Sequence, residues 1–453
     1  MAKSFNPNAL SEFAQYYGFH YNRIDPVELM NDVVIEMERG LAGQSSSLLM
    51  IPTYLRPAAS VSPGKTVIAL DAGGTNLRAA LVKFDANGKA IVGESIKEAM
   101  PGTSGRISAE TFFDKIADVT VPLIEKSSDP IEGIGFCFSY SMEITKESDG
   151  ILISFSKEVD VPEVVGKAIG KGLRDALSRR KVKVPERIVL LNDTAATLLT
   201  GLSEIPWHGG LLTGEDKYGV TAGPMVGLIL GTGFNTAYPE SQIPKIGFDS
   251  AGNPQIVVCE SGSFAHRYMG PLDREYDKTT NSPGVYTLEK AAAGAYLGPI
   301  TFHFLKQAIR DGVISFKKKD AFMALPTLQT RDLNDFLRSP LSMEGPIAAL
   351  FDKDEKDALA SIAYIASIVT ERGALLSAAV VAGAVKRTKA YSDPFVPARI
   401  AVEGTTFMIY KGMRRALESY LHIMLNSGKP CSYVMKPVEQ ASLLGAAVAA
   451  LVR

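Results

Sequence analysis

The stretch Ile68 to Phe84, "IALDAGGTNLRAALVKF", places an acid where one apolar strand ends and a glycine turn begins. Glycines leave the turn amides free to point outward, and such amides form a concavity suited to a phosphate. A glycine pair also makes an ordinary hairpin, so the stretch alone leaves both interpretations open. A carboxylate there would repel phosphate unless a cation lay between them, so the phosphate interpretation predicts Mg²⁺ held through water by Asp71.

A second glycine turn lies in "GLILGTGFNTAY", where an apolar strand runs into Gly231, Thr232 and Gly233. The pattern is neither a P-loop nor a dinucleotide fingerprint, because the Lys and the following helix that those motifs need are missing. One such turn is a weak signal. Two strand–turn–strand units, one in each half of the chain, would hold a polyphosphate from both sides.

Isolated acids and amides supply the candidates for acid–base chemistry. In "RIVLLNDTAATLLTG" the pair Asn192-Asp193 ends a buried strand directly before a helix. Taken alone, Asp193 is more simply a helix cap, although a general base is the competing interpretation. Glu260 and Glu289 border apolar or small-residue segments, where exposed charges are common, but their carboxylates could accept hydrogen bonds from sugar hydroxyls.

The composition limits the partners that these residues could serve. The chain has 453 residues, a hydrophobic fraction of 46% and a net charge of −1, which predicts two large domains and gives no electrostatic case for nucleic acid or an anionic membrane. The N-terminal stretch lacks the charged head and apolar run of a secretory signal. Each apolar run is shorter than the roughly 20 residues that span a bilayer. Three scattered cysteines show no zinc spacing, so we expect a cytoplasmic protein.

The elements that must position these residues form two successive α/β halves. Three strands (Thr66 to Asp71, Asn76 to Phe84, Ala90 to Ile96) precede alternating helices and strands, and the pattern recurs beyond residue 200. We predict a helical segment and connection over 1–62, a small α/β domain over 63–201 plus 436–453, and a large α/β domain over 202–435. Ligands prefer the cleft between such halves. The predicted helices are Pro26 to Ala42, Ala109 to Ser127, Val161 to Arg180, Leu288 to Asp311, Asp357 to Lys386, Phe407 to Asn426 and Ala441 to Arg453.

Seven segments in order resemble the hexokinases. They are "MERGLAGQSSSLLMIPTYL", "LDAGGTNLRAALV", "GFCFSYS", "LLNDTAATLLTG", "GLILGTGFNTAY", "EKAAAGAYLG" and "TERGALLSAAVVAGAV". The resemblance runs from about residue 30 to the end of the chain. It implies the actin-like ATPase fold of the sugar kinases, with two related, ribonuclease H-like α/β domains, mixed sheets flanked by helices, and a central cleft.

The resemblance also implies a role for each matching residue. Asp193 corresponds to the catalytic base, and the sugar ligands correspond to Ser139, Ser156, Lys157, Asn192, Asn235, Glu260 and Glu289. The nucleotide positions correspond to Asp71, Gly73, Gly74, Thr75, Asn76, Arg78, Gly231, Thr232, Gly233, Gly404, Thr405, Thr406 and Gly445. The departures from the family pattern surround the sugar: Ser141 replaces a proline, Phe155 a tryptophan, Ser261-Gly262-Ser263 a Trp-Gly-Ala run, and Pro299 a glutamate.

The implied activity is transfer of a phosphoryl group from ATP, with Mg²⁺, to the 6-hydroxyl of a hexose, with glucose as the expected substrate. The expected partners are therefore small molecules, and the assembly a monomer or homodimer. Two alternatives are a catalytically inactive hexose sensor and an actin- or Hsp70-like ATPase. An intact base and both glycine turns argue against the sensor, and the sugar-ligand set argues against the ATPase.

Overall fold

A computed structural model describes residues 4–57, 61–155, 159–203, 223–250, 253–342, 345–352, 354–390 and 396–452. The helices are α1 Pro7–Tyr16, α2 Pro26–Leu41, α3 Ala109–Lys126, α4 Ile169–Arg179, α5 Asp193–Ser203, α6 Pro271–Lys278, α7 Thr287–Ala292, α8 Leu297–Arg310, α9 Lys319–Met323, α10 Thr330–Arg338, α11 Gly345–Ala348, α12 Lys356–Arg387, α13 Thr405–Ile409, α14 Met413–Leu425 and α15 Ala441–Ala449. The strands are β1 Ile51–Pro52, β2 Thr66–Gly73, β3 Asn76–Phe84, β4 Ala90–Ala99, β5 Ile131–Phe138, β6 Ser141–Ile144, β7 Gly150–Ser154, β8 Ile188–Leu191, β9 Met225–Leu230, β10 Phe234–Glu240, β11 Gln242–Ile243, β12 Phe248–Asp249, β13 Gln255–Val258, β14 Ala398–Glu403 and β15 Tyr433–Pro437.

The first sheet has the strand order β4-β3-β2-β5-β8. Its first three strands form an antiparallel meander, while β5 and β8 run parallel to β2. Residues 66–70 of β2 are all buried, as expected for a central strand that is covered by helices on both faces. Helix α3 packs against β3 and β4, and α15, the last of the described elements, packs against β2 and β5.

The second sheet repeats this plan in the order β1-β13-β10-β9-β14-β15. Strands β9, β10 and β13 are antiparallel, and β14 and β15 add in parallel beyond β9. The short strand β1 extends this sheet at its edge, and α1 and α2 pack against α12. The predicted fold class, two related α/β units with mixed sheets, is confirmed.

A pair of helices joins the two sheets. Helix α5 packs against β9 and β14 of the second sheet, α15 packs against the first sheet, and the two helices pack against each other. Where these helices meet, a methyl group on Gly445 would lie 2.0 Å from the carbonyl oxygen of Ala196, so only glycine fits there. Asp193, the first residue of α5, therefore lies between the two halves.

Helix α12 is the longest of the helices that the structure describes, with 32 residues. It is long and apolar enough to cross a membrane by composition, but 94% of its apolar window is buried inside the protein. Its hydrophobicity is therefore explained by its place in the core, as the sequence predicted for this segment.

Three predicted helices differ from the structure. Helix α4 begins at Ile169 rather than Val161, because a short 3₁₀ turn and Gly166, with a φ of 78°, intervene. The predicted helix over Leu288 to Asp311 is two helices, α7 and α8, and the one over Phe407 to Asn426 is also two, α13 and α14. The second break lies at Gly412, whose φ of 89° is incompatible with a right-handed helix. Helix α1 and the β6–β7 hairpin were not predicted.

Candidate active site

The predicted base, Asp193, is the first residue of α5, and the residue before it caps this helix. The side-chain oxygen of Asn192 accepts the N–H of Ala195 at 2.9 Å, which is the geometry of an N-cap residue. The Asp193 carboxylate accepts the hydroxyl of Thr194 at 3.2 Å. Interpreting Asp193 as the helix cap is therefore wrong, and its carboxylate is left facing the space between the sheets.

Asp193 lines a cavity of about 460 Å³ that opens between the two halves. Its volume is within the range of small-molecule sites. Of the predicted sugar ligands, those that line the same cavity are Ser139, Asn192, Asn235, Glu260 and Glu289. Ser156 and Lys157 lie outside the described residues.

Hydrogen bonds orient the two glutamates of this cavity. The amide of Asn235 donates to Glu260 at 3.0 Å, while its oxygen accepts the N–H groups of Thr236 and Ser261. Glu289 accepts the N–H of Phe234 at 3.1 Å. Because the amide oxygen is fully engaged, Asn235 can only donate toward Glu260, and this fixes the direction in which that carboxylate points.

Burial dominates the electrostatics of the three acids in the cavity. It raises the pKa of Asp193, although hydrogen bonds to the Thr194 hydroxyl and to backbone amides oppose the rise. It also raises the pKa of Glu260, with Asp193 and Glu289 adding to the rise, and the pKa of Glu289. Desolvated carboxylates accept hydrogen bonds strongly, which suits a ligand rich in hydroxyl groups.

The cavity also has aromatic and aliphatic lining that sequence reasoning missed. Tyr286 lines it and adopts a φ of 55° directly before α7, the helix that carries Glu289. Leu49 and Ile153 line it from opposite halves and are 56% and 58% exposed. Single exposed apolar residues carry no distinguishing sequence signal, so these positions could be found only in three dimensions.

The first glycine turn lies beside the sugar-ligand residues. Gly73 pairs with Asn76 to close the β2–β3 hairpin, and Gly74 has a φ of 56°. A methyl group on Gly73 would lie 3.1 Å from Ser139, and the Tyr140 hydroxyl donates to the Gly74 carbonyl at 3.0 Å. The hairpin is therefore fixed against the segment that carries Ser139, with Gly74 and Thr75 exposed at its tip.

Asp71 lies two residues before this turn, opposite Arg78 on β3. Burial raises the pKa of its carboxyl, Arg78 lowers it and Asp193 raises it. Sequence reasoning missed a further acid nearby, Glu403 at the end of β14. Burial and then Asp193 raise the pKa of Glu403, and Thr197 donates to it at 3.4 Å. Its position in the family-like segment "VEGTTF" was the only available signal.

The described residues contain no group of three side chains that could hold a metal ion by themselves. A buried carboxylate with only partial neutralisation does fit Mg²⁺ that brings phosphate oxygens and waters as its other ligands. Asp71 is therefore a suitable residue for such an ion, and Glu403 lies near enough to influence it electrostatically.

The second glycine turn is bound to two distant segments through one carbonyl. The oxygen of Gly231 accepts the N–H of Gly294 and the hydroxyl of Thr406, both at 2.7 Å. Gly404 has a φ of 128°, and a methyl group on it would lie 2.3 Å from the Leu230 carbonyl oxygen. The N–H of Gly294 thus donates to Gly231 and not to a carbonyl within its own segment, which explains why the predicted helix over 288–311 is interrupted.

A second cavity, of about 420 Å³, opens beside this turn. The predicted nucleotide residues that line it are Thr232, Thr405 and Thr406. Gly404 packs against the backbone of Leu230 and Gly231, while Gly445 does not line this cavity and instead packs from α15 against Ala196 of α5. Gly294, Arg331, Asn334 and Arg338 line it without having been identified from the sequence.

The sequence profile of the hexokinase family matches residues 10–202 and 225–452 in two parts. The chain belongs to the hexokinase family. Hexokinase-5 of Oryza sativa subsp. japonica is 30% identical over 92% of this chain and 84% of that protein. Hexokinase-1 of Schizosaccharomyces pombe is 27% identical over 93% of this chain and 87% of its own length. The predicted family and enzyme class, hexokinase, are confirmed.

Two solved structures share the fold. A hexokinase from Schistosoma mansoni in complex with glucose has 20% sequence identity to this chain and a TM-score of 0.72. The superposition covers 99% of this chain and 100% of the Schistosoma chain. Another hexokinase structure has 22% sequence identity and a TM-score of 0.77, and the superposition covers 98% of this chain and 100% of the other. Membership of the hexokinase family establishes sugar phosphorylation as the chemistry of the protein.

Proposed function

We propose that this protein phosphorylates the 6-hydroxyl of a hexose, with glucose as the expected substrate and ATP as the donor. The observation that carries the proposal is the convergence of Asp193 with Asn192, Asn235, Glu260 and Glu289 on one cavity. Four of these residues supply hydroxyl-binding groups, and Asp193 is the buried acid between the two sheets.

The glutamates orient the sugar. Glu260 and Glu289 each have one carboxylate oxygen bound by the protein, so the other oxygen can accept a sugar hydroxyl. The Asn192 oxygen is already engaged in capping α5, and its NH₂ group therefore serves as a donor to the sugar. This division of donors and acceptors fixes the rotation of the hexose in the cavity.

Asp193 acts as the general base. It accepts the proton of the 6-hydroxyl as that oxygen bonds to the terminal phosphorus of ATP, while the bond to the β-phosphate oxygen breaks and ADP leaves. Its raised pKa brings its basicity closer to the operating pH. Since phosphoryl transfer has a loose transition state, positioning the two reactants is the main task of the protein.

The two glycine turns hold the phosphates of the donor. Gly73, Gly74, Thr75 and Asn76 supply amide and hydroxyl donors from the first half, and Gly231, Thr232 and Gly233 from the second, while Asp71 would hold Mg²⁺ through water. When bound, Mg²⁺ neutralises charge on the phosphates. The exposed amides at the tip of the β2–β3 hairpin suit contact with an anion.

Closure of the two halves on the sugar would exclude water as a competing nucleophile. The cavity residues come from both halves: Ser139 follows β5 of the first sheet, and Asn235 lies on β10 of the second. The sugar thus contacts both sides at once. A cytoplasmic location and a monomeric or homodimeric assembly remain predictions from the sequence.

A coupled assay with ATP and Mg²⁺ tests the proposal against a panel of glucose, mannose, fructose and N-acetylhexosamine. We expect turnover of at least one hexose, with glucose as the best substrate, and no turnover of a 6-deoxy sugar, which lacks the acceptor oxygen. Binding of glucose without turnover of any sugar would contradict the proposal and favour the inactive sensor.

A further inference from the structure

The helix that carries Glu289 into the sugar cavity is too short to be stable by itself. Helix α7 has six residues, whereas isolated helices shorter than about 12–15 residues are marginal in water. The residue before it, Tyr286, has a left-handed φ of 55° and gives no side-chain cap. Such a conformation costs free energy in a residue with a Cβ atom and persists only where the surrounding structure holds it. Contacts from outside α7 must therefore hold Tyr286 and Glu289 in place.

The sugar side of α7 supplies little of this support. The carboxylate of Glu289 accepts the N–H of Phe234 at 3.1 Å, the single hydrogen bond that the described residues give to it. Two glycines lie against the same carboxylate oxygen: a methyl group would be 2.9 Å from it on Gly233 and 3.2 Å on Gly262. The glycines leave room for the carboxylate without binding it, so its position depends on how α7 is held from behind.

Behind α7, Lys290 and Asp277 form a buried ion pair. The ammonium group of Lys290 donates to the Asp277 carboxylate and, at 2.6 Å, to the carbonyl of Ser282. The two charged side chains are 4% and 12% exposed. Adjacent residues of a helix do not share a face, and Lys290 does not line the sugar cavity. Lys290 therefore anchors α7 on the side away from the sugar.

Asp277 also holds the loop that leads into α7. Its second carboxylate oxygen accepts the N–H of Gly284 at 2.7 Å. One oxygen of this carboxylate thus holds the chain two residues before Tyr286, and the other holds it one residue after Glu289. Both residues that line the sugar cavity lie between these two points of attachment.

The surroundings of the ion pair favour a role in positioning over a role in stability. Asp277 and Lys290 line a small cavity of about 10 Å³, roughly the room that one water molecule needs, so neither charge can be solvated by bulk water. The attraction within a buried ion pair is largely offset by the cost of desolvating both groups, and such a pair is weak evidence for stability. Its hydrogen bonds do fix the geometry of the segment that it joins.

We propose that Asp277 and Lys290 are positioning residues for hexose recognition, whose ion pair holds the segment from Gly284 to Lys290 so that Tyr286 and Glu289 face the sugar. The proposal rests on the proposed function only in taking a hexose as the ligand of this cavity. It makes the affinity for the hexose depend on two residues that do not line the cavity themselves.

Calorimetric titration of the full-length protein with glucose tests the proposal, together with unfolding by denaturant. Lys290→Met removes the charge and keeps most of the side-chain length. We expect the dissociation constant for glucose to rise about tenfold, as for loss of a hydrogen bond to a charged group, and the affinity for a fluorescent ADP analogue to stay unchanged. The midpoint of unfolding should also fall, because a buried carboxylate is left without its cation.

A double variant separates positioning from stability. Asp277→Asn combined with Lys290→Met removes both charges and keeps an acceptor for the N–H of Gly284. Replacement of both members of a buried ion pair is often neutral for stability, so the midpoint of unfolding should return toward that of the wild-type protein. The dissociation constant for glucose should remain raised about tenfold.

Arg387→Met is the matched control, because it breaks another buried ion pair. The guanidinium of Arg387 lies 2.7 Å from the carboxylate of Glu240, which is 4% exposed, and neither residue lines the sugar cavity. This variant should lower the midpoint of unfolding and leave the affinity for glucose unchanged.

Three results would overturn the inference: unchanged glucose affinity in Lys290→Met, recovery of both affinity and stability in the double variant, or an equal loss of affinity in Arg387→Met. If Lys290→Met does not fold, the double variant and the control decide. The expected pattern in a protein that binds glucose and phosphorylates no hexose would support the inference and contradict the proposed function. Normal turnover without the pattern would contradict the inference alone, and a wild-type protein that does not bind glucose would contradict both.

Discussion

The side-chain oxygen of Asn192 caps α5 by accepting the N–H of Ala195 at 2.9 Å. This bond satisfies one of the amides that every helix leaves unpaired at its start. Asp193, the next residue, is consequently not needed for capping. The two residues of the "ND" pair therefore have separate tasks, a structural one and a chemical one.

Replacing Asp193 should therefore affect catalysis far more than folding. We expect Asp193→Asn to lower kcat by about 10²–10⁴, since that is the usual contribution of a general base, while the dissociation constant for glucose, measured by calorimetry, changes less than about tenfold. Asn192→Ala is the companion variant, and it should lower the free energy of unfolding by about 1 kcal/mol through loss of the cap. An active Asp193→Asn enzyme would contradict the assigned role.

Glu260→Gln should stabilise the free protein at neutral pH. Burial raises the pKa of this carboxyl above its ordinary value of 4.5, so the folded state binds the proton more tightly than the unfolded state does. That contribution favours folding at pH below 4.5 and is lost as the pH rises through the raised pKa. The neutral amide removes the penalty, so we expect a gain in the free energy of unfolding at pH 7 that shrinks as the pH falls.

The same Glu260→Gln variant should raise the KM for the hexose, because one acceptor for a sugar hydroxyl becomes weaker. Denaturant unfolding at several pH values and steady-state kinetics measure the two effects. Glu143→Gln, at an exposed position on β6, should change neither quantity. A gain in stability that stayed constant down to pH 4 would show that desolvation of the carboxylate is not its cause.

Gly64 is a matched control for Gly74, the glycine at the tip of the first glycine turn. Their φ values are 56° and 71°, and neither has an atom within 4 Å of the place where a methyl group would lie. Replacing either by alanine should cost about 1–2 kcal/mol of stability from the left-handed backbone alone. Only Gly74→Ala should also raise the KM for ATP, because only that turn is proposed to contact phosphate. An equal KM for ATP in both variants would remove the β2–β3 hairpin from the donor site.

Gly445→Ala distinguishes two roles for this residue. The resemblance to hexokinases implies a place beside the adenosine, whereas the structure places it against the Ala196 carbonyl. Forcing the two helices apart should cost about 1–3 kcal/mol, which is typical of overpacking. Ser442→Ala, half-buried on the same helix, should be nearly neutral. Thermal unfolding and nucleotide displacement separate the roles: normal stability with weakened ADP binding would favour a nucleotide role.

The sequence was sufficient to predict most strands and the family, because β2 and β9 are continuous apolar runs that stop at glycine turns. It did not predict the breaks at Gly294 and Gly412. The first break depends on a hydrogen bond to Gly231, a partner far away in sequence. Four residues were missed for the same reason, because each belongs to an ordinary helix, turn or strand end: Arg331, Arg338, Tyr286 and Glu403. Only the packing of distant elements brings the first three to a cavity and Glu403 close to Asp193.

The return of α15 to the first sheet has a consequence for synthesis of the protein. Strands β2 and β5 are covered on one face by α15, which is synthesised after every other element that the structure describes. The first sheet therefore exposes apolar surface until α15 has been synthesised, and contacts between such distant segments form slowly. Incompletely synthesised chains of this kind are prone to aggregate. Chains truncated before Ala441 should accordingly depend on chaperones, even though they retain every residue proposed for catalysis.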